Sequence, residues 1–161
     1  MAPQATFLIQ ISMSLLIYSL IYRWYVSPWL AGKTKTETLQ ILLLPHAFRY
    51  VGLFFLMPSF VASELPRGFA DATAYGDLIT AILAIITLLV LRAKSAFAVP
   101  LVWLTNLVGT IDLLKALSSA DNISNLGVVV FIPAFIVPLL LVSHVMIFVQ
   151  LLRPISASKS N

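Results

Sequence analysis

Cysteine is absent from the 161 residues, which excludes disulfides, thiolate metal sites and cysteine nucleophiles. Charge is scarce as well. Asp, Glu, Lys and Arg make up 10% of the chain, where a soluble domain carries about 25%. No lysine lies deep inside an apolar run, so a retinal-type Schiff base has no anchor. No Lys/Arg-rich run or aromatic-basic strip occurs either, so the excess of ten Lys/Arg over six Asp/Glu is no nucleic-acid footprint. It reads instead as a topology signal. There is no repeat, low-complexity tract or soluble domain. The spans show no nucleophile–base motif, metal-binding box or paired carboxylates, and the reading leans away from an enzyme.

What the chain has in abundance is apolar length: 60% hydrophobic residues and a mean hydropathy of +1.00. Crossing about 30 Å of hydrocarbon takes roughly 20 mostly apolar residues in a helix. Five such segments are expected, near residues 5–22, 39–62, 75–91, 96–116 and 126–152. They are too long and too evenly apolar for barrel strands. The expectation is an all-α integral membrane protein, a bundle of five transmembrane helices forming one domain over residues 1–161. The first segment is followed, not preceded, by its positive charges (Arg23, Lys33, Lys35), the reverse of a signal peptide, and is expected to be retained.

Basic loops alternate with neutral or acidic ones. Arg23, Lys33 and Lys35 follow the first span, Arg92 and Lys94 the third, and Arg153 and Lys159 the fifth. The intervening loops carry Glu64, Arg67 and Asp71, then Lys115 and Asp121. The N-terminus is therefore expected outside and the C-terminus in the cytoplasm. The setting expected is a cell membrane, of the bacterial inner-membrane type. Trp24, Tyr25 and Trp29 beside the first basic group suit an interfacial belt in contact with lipid headgroups. Thr36 is expected to cap the second helix, with Glu37 near its positive end. Pro58, Pro100, Pro133 and Pro138 are expected within spans as kinks, and Pro45 in the first turns of its helix. The sequon Asn122-Ile123-Ser124 sits close to the membrane and reads as a chance match.

In size and span count the chain is similar to the tryptophan-rich sensory protein (translocator protein) family, whose members also have five helices in a chain of this length. That family's tryptophan-rich motifs are missing, since only Trp24, Trp29 and Trp103 occur. The similarity implies an architecture and no activity.

Ionisable groups within a span are costly and usually face a bundle interior or an aqueous cavity. In "LLLPHAFRYVGLFFLMPSFVA", residues 42–62, His46, Arg49 and Tyr50 fall within five residues. At a rise of 1.5 Å per residue, His46 lies roughly 10 Å from the inner end of its span. His144 lies about 12 Å from the inner end of the fifth span by the same rise. The two histidines are thus expected at one depth, and meet if spans two and five are neighbours. In the fourth span Asn106, Gly109 and Asp112 recur at three-residue spacing, the glycine letting a neighbour approach. Asp77 is read as an acid in the first turn of its helix. Asp112 has two readings, a pair with Lys115 or a buried role.

Three readings follow. The leading one is a small-ligand or lipid-binding protein, coupled to proton movement, with a polar inner-leaflet pocket of His46, Arg49, Tyr50, Asn106, Asp112 and His144. The ligand is expected to be small and either apolar or anionic; Arg49 would offer its fork of donors to an anionic headgroup or carboxylate. Its partners would be membrane lipids, with a second membrane protein or another copy of the chain as further candidates. The alternatives are a haem b protein with His46 and His144 as axial ligands, and a structural or accessory subunit.

Overall fold

A computed structural model describes residues 2–153, with no account of the side chains of residues 120 and 121. The described residues are 85% helical and contain no strand. Five helices are long and apolar enough to cross a membrane: α1 (Pro3–Leu30), α2 (Lys35–Leu56), α3 (Arg67–Arg92), α4 (Ala98–Ser118) and α5 (Gly127–Leu152). Connections are short, so successive helices run antiparallel. Lys33, Lys35, Arg92, Lys94 and Arg153 gather at one end of the bundle, and Glu64, Arg67 and Lys115 lie at the other.

Three helices are not uniformly α-helical, and proline explains the departures. Pro28 and Pro138 each lack an N–H and would press a ring against the carbonyl four residues earlier. In each case the helix widens into a π turn that ends two residues before the proline, Tyr22–Val26 in α1 and Ile132–Ile136 in α5. In α2 the α-helical part Lys35–Leu43 tightens into a 3₁₀ helix over Leu44–Leu56, with Pro45 in its first turn. Thirteen residues is far beyond the usual three or four for this conformation. The switch leaves the Leu42 carbonyl without its α-helical partner, and Ser143 Oγ of α5 donates to it at 2.5 Å.

Thr34, not Thr36, caps α2. It accepts from Glu37 N, while its own N–H donates to the Glu37 carboxylate at 2.8 Å. Helix α1 runs on to Leu30, so Trp24, Tyr25 and Trp29 lie on a helix instead of a loop. Helix α2 stops at Leu56, and Pro58 sits in the following turn instead of kinking a span. Helix α3 begins at Arg67, eight residues before the expected start at Tyr75, because Pro66 occupies its N-cap and the polar stretch after it is helical.

The ends are tied together. Val128 N–H donates to Phe60 O at 2.9 Å, joining the start of α5 to the α2–α3 connection. Gly127 there has φ +60, and any Cβ would press on Phe60 O, so both backbone and space demand glycine. At the basic end, Lys35 Nζ donates to the Leu151 and Arg153 carbonyls, satisfying the C-terminus of α5. Two apolar clusters fill the bundle. One, with Phe55, Leu113, Ile132 and Leu140, lies towards the Met57–Pro66 connection. The other, with Leu39, Leu43, Val102 and Ile147, lies towards the basic end. Polar side chains occupy the layer between them. Helix α1 stands at the periphery against α5, with only Phe7 and Leu30 buried.

Candidate functional site

The 3₁₀ conformation of α2 is what aligns the site. At three residues per turn, positions three apart stack in a straight line along the helix. The buried residues of this stretch are His46, Arg49, Gly52 and Phe55, every third one. An α-helix would rotate this row progressively away from the core; the 3₁₀ helix holds all four on one face.

Arg49 is 1% exposed, and each of its three side-chain nitrogens has a charged or polar partner. Its Nε donates to Asp77 Oδ1 of α3 at 2.7 Å, its Nη1 to Gly109 O of α4 at 3.0 Å, and its Nη2 to Asp112 Oδ2 of α4 at 2.5 Å. One guanidinium is therefore clamped between two carboxylates from two other helices, away from any snorkelling position. Asp77 lies ten residues inside α3, roughly 15 Å from its start. It is not a first-turn acid, and Asp112 pairs with Arg49, not Lys115. These two carboxylates are paired across α3 and α4, contrary to the expectation of no such pair.

Glycine makes the clamp possible. A Cβ on Gly52 would overlap the Asp77 carboxylate, and one on Gly76 would overlap that of Asp112. A Cβ on Gly109 would lie 2.8 Å from Arg49 Nη1, from His144 Cε1 and from Thr80 Cγ2. Three of the chain's six glycines thus stand where the charged groups need their space.

Gly109 is also the junction to the histidines. The His46 and His144 rings touch, tilted by 41° with centroids 4.0 Å apart, so α2 and α5 are neighbours and the two histidines meet. Asn106 fixes His144 from two sides. Its Nδ2 donates to the His144 carbonyl at 3.2 Å, which orients the amide so that Oδ1 faces His144 Nδ1 at 2.6 Å. An amide oxygen only accepts, so Nδ1 carries the proton and Nε2 is left as a free lone pair. Neither ring nitrogen of His46, nor His144 Nε2, has a hydrogen-bond partner. A haem held by two axial imidazoles lies between them. These rings face each other in direct contact, and the pair as folded does not accommodate a porphyrin.

Of the residues expected at the site, His46, Arg49, Asn106, Asp112 and His144 converge. Tyr50 does not. It is 50% exposed on the opposite side of α2, beside Phe48. Asp77, Gly52 and Gly76 are additions to the expected set. Above the clamp, on the side away from the histidines, lies a cavity of about 40 Å³. Its floor includes Asp77 and Asp112, and its walls include Phe7, Phe55, Phe69 and Thr73. By volume it holds about three waters.

A family model described as a domain of unknown function (DUF8737) matches residues 6–152. The chain belongs to that family. No curated protein and no solved structure matches it, so the likeness to the tryptophan-rich sensory proteins remains one of size and span count.

Proposed function

We propose that this is a multi-pass membrane protein that takes up a proton at the Asp77–Arg49–Asp112 clamp and couples it to a small ligand held in the adjoining cavity. The observation carrying this reading is the charge count: one buried guanidinium against two carboxylates, Asp77 buried and Asp112 half-buried. With both acids ionised the clamp sums to −1, and an uncompensated buried charge is expensive. A single proton on either carboxyl completes the balance. Burial favours the neutral form of a carboxyl, so the proton rests on Asp77, whose side chain keeps 8% of its surface exposed, while Asp112, at 20%, is the more accessible of the two.

The leading reading from sequence put an anionic ligand on Arg49. Arg49 is committed to two carboxylates, so the site moves from the histidines to the cavity, whose walls are mostly apolar with Asp77 and Asp112 at its floor. Under the charge alternation of the loops this cavity opens to the outer side, with the N-terminus outside and the C-terminus in the cytoplasm. The apolar cluster around Leu39, Leu43, Val102 and Ile147 closes the other route. A cell membrane of the bacterial inner-membrane type remains the setting we favour, with membrane lipids around the exposed helix faces.

Infrared spectroscopy after transfer to D₂O tests the access route. The carboxyl C=O band of the clamp is expected to shift rapidly in the wild type and slowly in Ala116→Phe, which fills the cavity beside the acids. Equal rates in both proteins would contradict entry through the cavity.

A further inference from the structure

A groove of about 700 Å³ opens at the basic end of the bundle, between the first turns of α2 and the turn that joins α3 to α4. Its walls carry Lys35 and Glu37 from α2, with Arg92 and Lys94 from the end of α3 and the turn after it. Three cations against one carboxylate give the groove a net charge of +2. Glu37 is turned to its own helix, since its carboxylate accepts from both the N–H and the hydroxyl of Thr34 at 2.8 Å. Arg92 and Lys94 are exposed. Among the described residues only Arg49 forms ion pairs, so neither of these cations is answered by a carboxylate there.

Lys94 is kept at a cost. It has φ +53, the left-handed conformation. Its N–H donates to Leu91 O at 3.1 Å and that of Ser95 to Val90 O at 3.3 Å, the paired bonds that close a helix on a residue that is usually glycine. Helix closure accounts for the backbone but not for the side chain, because a glycine would end α3 with less strain. What the lysine adds is a third cation in the groove wall. The same groove has an apolar side. Leu39, Leu91, Ala98 and Val99 line it, and Phe97 and Val99 are 77% and 46% exposed. A soluble phosphate would answer the cations and leave this surface bare, and a neutral lipid would cover the surface and leave the cations unanswered. A phospholipid with an anionic headgroup uses both.

We infer that the groove is a binding site for a phospholipid whose headgroup carries two negative charges, with its phosphate oxygens on Arg92, Lys94 and Lys35 and its acyl chains against Phe97 and Val99. Lys35 Nζ gives two of its three protons to the Leu151 and Arg153 carbonyls and keeps one for the headgroup. Under the charge alternation of the loops this end of the bundle faces the cytoplasmic leaflet, the one that carries anionic lipids. The site lies at the opposite end from the clamp's cavity and does not depend on the proton reading.

Native mass spectrometry of the full-length protein in detergent, titrated with dioleoyl phosphatidate, phosphatidylglycerol or phosphatidylcholine, counts bound lipids and ranks their affinities. The wild type is expected to hold one phosphatidate at least tenfold more tightly than phosphatidylcholine, with the singly charged phosphatidylglycerol between them. Arg92→Gln combined with Lys94→Gly is expected to abolish that preference. Arg23→Gln combined with Lys33→Gln removes as much charge from the same end, outside the groove, and is expected to keep it. Lys94→Gly alone is expected to raise the melting temperature of the delipidated protein while weakening phosphatidate at least threefold, a combination that a merely structural lysine would not give. Equal affinity of the wild type for all three lipids would overturn the inference. So would a preference that survives in the groove variant, or one lost equally in both double variants, which would mark a diffuse surface charge. Displacement of phosphatidate by equimolar inorganic phosphate would overturn the lipid as occupant in favour of free phosphate.

Discussion

Gly109 and Arg49 occupy a space that one extra methyl group would close. A Cβ at position 109 would sit 2.8 Å from Arg49 Nη1 and equally close to His144 Cε1. The guanidinium is held on three sides and cannot retreat. Gly109→Ala is therefore expected to destabilise the protein by about 1–3 kcal/mol, the usual range for overpacking. Gly68 supplies the contrast: it lies in α3 with open space where a methyl group would project. Gly68→Ala is expected to raise stability by about 0.5–1 kcal/mol, since alanine restricts the unfolded chain. Thermal melting followed by circular dichroism in detergent distinguishes the two, and equal effects would contradict the crowding argument.

Arg49 cannot be removed alone. Arg49→Met leaves buried Asp77 and half-buried Asp112 without their counter-charge, and losing one partner of a buried ion pair costs about 3–5 kcal/mol. Adding Asp77→Asn and Asp112→Asn to Arg49→Met takes away the charges together. The triple variant is expected to recover most of the lost stability while losing proton uptake. A triple variant as unstable as Arg49→Met would mean that the arginine matters for its shape instead of its charge.

Ser143 joins α5 to the conformational switch of α2 through the freed Leu42 carbonyl. Ser143→Ala leaves that buried acceptor without a donor, at a cost of about 1–3 kcal/mol. Amide hydrogen exchange is expected to quicken first across residues 42–49. An unchanged exchange pattern there would show that the 3₁₀ stretch is held without this bond.

The imidazole pair gives a spectroscopic prediction. Because His46 and His144 touch, the purified protein is expected to be colourless, and His46→Ala or His144→Ala to leave the visible spectrum unaltered. A Soret band lost in either variant would mean that the helices part to admit haem. For the same pair, ¹⁵N spectra are expected to show His144 protonated at Nδ1, and the Nε2–H form to gain population in Asn106→Ala.

Much of this is legible in the sequence. Apolar length gives five helices, and the alternation of Arg23, Lys33, Arg92 and Arg153 with Glu64 and Asp71 gives their order of reversal. The shared depth of His46 and His144 brings α2 and α5 together. Asp77 escapes a reading by hydropathy because Arg67 and Asp71 resemble loop, which starts the helix at Tyr75 and puts the acid at its end. Its true depth depends on eight more helical residues. Tyr50 enters only through adjacency to Arg49, and sequence neighbours do not share a helix face. The row His46, Arg49, Gly52, Phe55 is the available signal: spacing of three points to a 3₁₀ helix and sends residue 50 outward. Which acids find Arg49 depends on packing between α2, α3 and α4, which no single-helix periodicity contains.

The central claim is that one cation and two acids share one proton. Infrared spectroscopy of protein carrying ¹³C-labelled aspartate, at neutral pH in nanodiscs, tests it most directly. The account predicts one neutral carboxyl band in the wild type, absent from Asp112→Asn and from Asp77→Asn, where the remaining acid is ionised against Arg49. A wild type with no neutral carboxyl band, both aspartates ionised, would contradict it.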